Sequence, residues 1–134
     1  VIMGGVNDFR TGTPAAAIIY SLRQIADKCR THDIVPVFVT ATPINADRMA
    51  AAYEMEPAAG NWKTEQTRLN EWIMAQKYAV DVTAALIDAA GNLRADYTAD
   101  GLHPDYQAKR YIGETIGEYL EQHFAALLGR KGEK

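Results

Sequence analysis

The sequence runs to 134 residues, 48% hydrophobic and 23% charged, the balance of one globular domain rather than a disordered chain. Fourteen Lys and Arg against seventeen Asp and Glu leave a net charge of −3, which gives no electrostatic basis for non-specific binding to nucleic acid or anionic membrane. No apolar run approaches the ~18 residues that span a bilayer, and the single cysteine, Cys29, excludes an internal disulfide and a multi-cysteine zinc site.

Val1–Met3 reads as the end of a buried strand, a short apolar run that meets Gly4-Gly5. Because this run opens the chain, the sequence is expected to be part of something longer. Val6–Gly12 is expected to be a loop. Thr13 then reads as an N-cap with Pro14 at the first helical position. Ile18, Ile19, Leu22, Ile25, Ala26 and Cys29 follow at helical spacing, which predicts an amphipathic helix over 14–31. Ile34–Thr40 is apolar and β-branched, a strand buried on both faces, with Pro36 near its start where a missing N–H is tolerated. Ala41-Thr42-Pro43 ends it.

Within 44–60 the alanine-rich stretch 46–52 predicts a short helix, broken by Pro57 and Gly60. Asn61 is placed to cap a second long helix over 62–77, with Leu69, Trp72 and Ile73 inward. Tyr78–Val82 is the third strand. Residues 83–102 carry turn signals, and Pro104 opens a final helix to about 128. Its inward stripe is Ala108, Tyr111, Ile112, Ile116, Tyr119, Leu120, Phe124, Leu127 and Leu128, and Gly129–Lys134 is a polar tail. Strand and helix alternate three times, the pattern of a parallel sheet with helices on both faces. Such sheets bind ligands beyond the carboxyl ends of their strands. Gly4–Asp8 and Asp100–Pro104 fall there.

Asp100-Gly101-Leu102-His103-Pro104 is the sharper chemical signal. An Asp three residues before a His can turn its carboxylate onto the imidazole Nδ1, which fixes the tautomer and leaves Nε2 free to accept a proton. The same spacing also suits a simpler role, in which Asp100 and His103 cap the final helix and shape a turn. Gly5-Val6-Asn7-Asp8 is the second signal. An Asn after a strand can donate its amide to a developing oxyanion, or it can form an Asx-turn, as Asn does in many βα loops.

Together these segments resemble the SGNH hydrolases, the GDSL esterase/lipase family. One block of that family reads G-x-N-D, matched in full by Gly5-Val6-Asn7-Asp8. Another reads D-x-x-H, usually D-G-x-H-P, matched in full by Asp100-Gly101-Leu102-His103-Pro104. Thr40-Ala41-Thr42-Pro43 resembles the family segment between them. The likeness spans Ile2 to about Leu120. It implies a flavodoxin-like, three-layer α/β/α fold with a parallel sheet, incomplete in this chain, and an acyl-hydrolase mechanism. By position, His103 is the general base, Asp100 its orienting acid and Asn7 an oxyanion donor.

Two blocks of the family are not matched: the G-D-S block with the nucleophilic serine, and the glycine that supplies a second oxyanion donor. Ser21 is the only serine in the sequence, falls mid-helix and lacks a glycine elbow. Residues 1–134 are therefore expected to be the C-terminal portion of a single hydrolase domain. Where the family often has Gly in the final helix, this chain has Ala108, which suits a helix.

The remaining candidates carry less. His32 and His123 are expected at the surface, and three scattered histidines do not make a metal site. Trp62 and Trp72 either line an acyl or sugar pocket or, more simply, Trp72 packs in the core and Trp62 at the start of its helix. Met49, Tyr53 and Met55 either flank a substrate groove or sit in a surface loop. The reading is a serine-dependent ester hydrolase with its serine upstream, acting on a short-acyl ester such as an acetylated sugar. It implies no metal or organic cofactor, a small-molecule partner, no nucleic acid and no membrane span. It also implies pairing of the Val1–Met3 strand with a missing segment or a second copy. The alternatives are a non-catalytic flavodoxin-like binding module and a degenerate esterase relative.

Overall fold

The computed structural model describes residues 1–128, Leu128 by its backbone alone. The expected tail Gly129–Lys134 and the place of Leu128 in the apolar stripe lie outside the described residues. The elements in order are β1 (Ile2–Met3), α1 (Val6–Thr11), α2 (Ala15–Thr31), β2 (Phe38–Val39), α3 (Ala46–Tyr53), α4 (Trp62–Met74), β3 (Ala79–Val80), a 3₁₀ turn (Ala95–Tyr97) and α5 (Tyr106–Leu128). The three strands form a parallel sheet in the order β1-β2-β3. Ile2 lies opposite Phe38, and Phe38 opposite Ala79.

Alternation along β2 sends its side chains to opposite faces. Phe38 joins Ile18, Leu22 and Ala26 of α2 and Leu69 and Ile73 of α4 in one buried cluster. Val37 and Val39 join Val80 and Val82 against Ile112, Ile116, Tyr119, Leu120 and Phe124 of α5. The sheet is therefore covered on both faces, and the three-layer α/β/α arrangement follows. Trp62 is buried in the first cluster, whereas Trp72 is half-buried at its margin, edge-on to Phe38 at 5.3 Å.

Several expectations need correction. Residues 6–11 are helical rather than a loop, bounded by Gly5 and Gly12, both at positive φ. At Gly5 (φ 118°) an added Cβ would also lie 2.9 Å from Leu69 Cδ2, so glycine lets α1 start hard against α4. β1 is not buried: Ile2 is half-buried and Met3 42% exposed, and in this chain the strand is paired on one side only. Strand 34–40 shortens to a ladder at Phe38–Val39. Ile34 and Val35, 56% and 48% exposed, precede the sheet on the far side of Pro36. Ile25 and Leu127 leave their stripes for solvent, the latter beyond a break in helical geometry at Phe124. Met49 is fully buried in the core rather than at a groove.

Helix starts differ for a tertiary reason. Pro14 occupies the N-cap of α2, and no side chain of its own caps it. Glu65 from α4 does so instead, its Oε2 accepting from the Ala15 N–H at 2.7 Å while Oε1 pairs with Arg68 at 2.8 Å. A carboxylate suits that position because orphan N–H groups and the helix dipole both favour negative charge. α5 begins two residues after Pro104, where Asp105 Oδ1 accepts from the Ala108 N–H at 2.9 Å.

Candidate active site

The loop between β3 and α5 is closed by an antiparallel bridge of Thr98 with Pro104 and by the Asp105 N–H donating to the Tyr97 carbonyl at 2.7 Å. Thr98 is buried, and its hydroxyl donates to the His103 carbonyl at 2.9 Å while accepting from the Gly101 N–H at 2.9 Å. Inside this frame Asp100 divides its work between its two oxygens. Oδ1 accepts from the Leu102 and His103 N–H groups at 2.9 and 2.8 Å, which shapes the turn. Oδ2 meets His103 Nδ1 at 2.6 Å. One carboxylate thus both shapes the turn and meets the imidazole, while the cap of α5 falls to Asp105.

Burial of Asp100 opposes its ionisation. That effect is outweighed by the His103 amide, the Tyr53 hydroxyl, the His103 ring and the Leu102 amide, which hold the carboxyl well below the usual carboxylate range. An ionised Asp100 needs a proton on Nδ1, so Nε2 is the free acceptor nitrogen. The His103 side chain is 65% exposed, open to a reacting group.

Gly101 makes the turn possible. Its φ is 80°, and an added Cβ would strike the Asn45 carbonyl oxygen and lie 2.5 Å from the Met49 nitrogen. The close approach is used: the Asn45 N–H donates to the Gly101 carbonyl at 2.8 Å. Asn45 also caps α3 through Arg48 and reaches the Leu93 carbonyl at 2.8 Å.

Asn7 stands in the first turn of α1, beyond the carboxyl end of β1, with its side chain exposed. Its backbone carbonyl accepts from Thr11 Oγ1 at 3.2 Å, and no hydrogen bond joins its side-chain amide to the described residues. A cleft of about 310 Å³ lies between the two motifs, lined by Met3, Gly4 and Val6 on one side and Pro104, Lys109 and Ile112 on the other. Ala41 and Thr42 form its floor. Ala41 is pinned from α4: its N–H donates to Asn70 Oδ1 at 2.8 Å and its carbonyl accepts from Gln66 at 3.1 Å.

Ser21 is remote in role, mid-α2 and exposed, its hydroxyl on the Ala17 carbonyl at 3.4 Å. His32 and His123 are exposed, and His123 stacks on Tyr119. Among the described residues no group of three or more His, Cys, Asp or Glu could hold a metal, and no helix is long and apolar enough to cross a membrane. Tyr53 is the residue whose part the sequence did not show. Its hydroxyl donates to Asp100 Oδ2 at 2.6 Å across 47 positions of chain.

A parallel sheet covered on both faces, with an Asp–His pair beyond its carboxyl ends, places the chain among the three-layer α/β proteins. The model of the GDSL-like Lipase/Acylhydrolase family matches residues 1–111, and the chain belongs to that family. No curated protein matches it. Among solved structures, a candidate acylhydrolase from Bacteroides fragilis aligns with a TM-score of 0.72 at 17% identity, covering 90% of this chain and 60% of that one. A GDSL-like lipase from Bacteroides thetaiotaomicron aligns at 0.66 and 19%, covering 90% and 60%. A candidate platelet activating factor from Streptococcus pneumonia aligns at 0.63 and 24%, covering 88% and 57%. At these identities the likeness is one of fold, and the chain spans about 60% of the length of the structures it matches.

Proposed function

We propose that residues 1–134 are the C-terminal portion of a single hydrolase domain and supply the base and one oxyanion donor of a serine-dependent ester hydrolase. The observation that carries this reading is the 2.6 Å contact of Asp100 Oδ2 with His103 Nδ1, beside an exposed imidazole edge. The nucleophile is assigned to sequence upstream of Val1, because Ser21 is the only serine here and its hydroxyl is engaged within α2.

In this mechanism the serine oxygen attacks the ester carbonyl, and His103 Nε2 takes the hydroxyl proton. Asp100 stabilises the imidazolium so formed. Asn7 donates its amide to the tetrahedral oxyanion. The imidazolium then protonates the leaving alcohol, and water releases the acyl group by the same route. The free Asn7 side chain supports a donor role over the Asx-turn, which would have occupied it. The cleft beside Pro104 supports a short acyl group, with Thr42 on its floor and Lys109 on its wall suited to a polar alcohol such as a sugar. The edge of β1, open on one side, is assigned to a strand of the upstream segment or of a second copy.

The test joins the upstream residues to this chain and follows p-nitrophenyl acetate. His103→Ala should nearly abolish turnover. Asn7→Ala should lower kcat by about 10²–10³ with KM and melting temperature little changed. The chain alone should show no turnover beyond that of free imidazole. A burst of acyl-enzyme from the chain alone would make Ser21 the nucleophile. An Asn7→Ala variant that melts earlier with near-normal kcat would return Asn7 to a turn former.

A further inference from the structure

Tyr53 is the last residue of α3, and its hydroxyl shares Asp100 Oδ2 with the His103 ring, each at 2.6 Å. Both bonds are short, as expected for donors on an ionised acceptor. The helix is held at its other end by the same loop, through the Asn45 N–H on the Gly101 carbonyl. α3 thus braces the Asp100–His103 turn from both ends, with Tyr53 on the oxygen that matters chemically.

A carboxylate favours the imidazolium through its negative charge. A second donor on the same oxygen draws on that charge and leaves less for the ring. We propose that Tyr53 is the positioning residue of the Asp100–His103 pair, its hydroxyl holding Oδ2 on Nδ1 and sharing the carboxylate charge that the ring would otherwise meet alone. This rests on the reading of His103 as general base. It gives Tyr53 a purpose in that reaction: a base that must also return its proton to the leaving alcohol works best near the operating pH.

The simpler role for an exposed tyrosine is a clip that fastens α3 to the loop. The two roles part on one measurement, because a clip changes stability and leaves the imidazole alone. The other charged groups nearby are unaltered by losing the hydroxyl. Arg10 of α1 bears on Tyr53 with its positive charge. Lys109 of α5 lines the cleft beside Pro104, and the Asp105 carboxylate is taken up by the Ala108 N–H.

The experiment is an NMR titration of the three histidine rings in the ¹⁵N-labelled 134-residue chain, with His32 and His123 as internal references. Tyr53→Phe should raise the His103 midpoint by about half a pKa unit, the partial release of one charge-assisted hydrogen bond. Asp100→Asn should lower it. Tyr53→Leu repeats the loss of the hydroxyl with different packing and should move His103 the same way. If Asp100→Asn lowers the midpoint but Tyr53→Phe leaves it unmoved or lowers it, the positioning role is refuted and the base assignment stands. If Asp100→Asn does not lower it, the Asp100–His103 pair itself fails, and the role of Tyr53 goes with it.

Discussion

Gly101→Ala should be among the most damaging single-methyl changes available in this chain. The residue sits at φ 80°, where a Cβ meets its own backbone; that conformation costs about 1–2 kcal/mol for a residue other than glycine. The new methyl also lands on the Asn45 carbonyl oxygen, 2.5 Å from the Met49 nitrogen and 3.1 Å from the Arg48 carbonyl carbon. All three are backbone atoms of the first turn of α3, so no side chain can swing aside. Overpacking of this kind adds about 1–3 kcal/mol. The two effects sum to roughly 2–5 kcal/mol, or on the order of 10–20 °C in melting temperature for a domain of this size. Circular dichroism during urea and thermal unfolding measures it. Gly60→Ala is the control: nothing lies within 4 Å of the added Cβ and its φ is ordinary, so it should stay within about 0.5 kcal/mol of wild type. If Gly101→Ala falls as close to wild type as that control, the packing of α3 on the loop is not as described.

Glu65→Ala should cost about 1–3 kcal/mol in chemical denaturation, because the buried Ala15 N–H loses its acceptor, and Glu65→Gln should recover most of the loss by keeping an oxygen there. Asp100 gives the fold an acid-sensitive component. Its folded-state carboxyl lies below the ordinary 3.8, so its stabilisation is complete above about pH 4 and is lost as pH falls further. Unfolding free energies at pH 5 and pH 2.5 should therefore differ less in Asp100→Asn than in wild type, and equal pH slopes would refute the assignment.

The layers of this fold were legible because they rest on periodicity. The apolar run at 37–39 and the helical stripe of α5 each report local geometry, and a parallel sheet follows from their order. The Asp100–His103 contact was legible for the same reason, since three residues and a glycine suffice to close it. The misreadings share a different cause. α1 is short and lacks an apolar stripe, so its helicity rests on glycines at both ends and on Phe9 in the core rather than on any pattern in the other five residues of the helix. Pro14 was read one position too deep because the true cap, Glu65, lies 50 residues away.

Tyr53 shows where such reading stops. In the sequence it stands out only as a residue beside a groove or in a surface loop, and nothing around it marks a contact with Asp100: an alanine-rich helix ends there, and Glu54 takes a left-handed conformation to leave it. Its partner is 47 residues on, and the two meet only because Gly101 lets the loop approach the first turn of α3. The methyl group missing from Gly101 is therefore what brings a tyrosine within reach of the Asp100 carboxylate. Gly101 belongs to the D-G-x-H-P motif and Tyr53 does not, so the motif names the pair while the packing of α3 decides how the pair is held. A relative with the same motif but a different residue at the end of this helix should keep the Asp–His contact and show a differently tuned histidine.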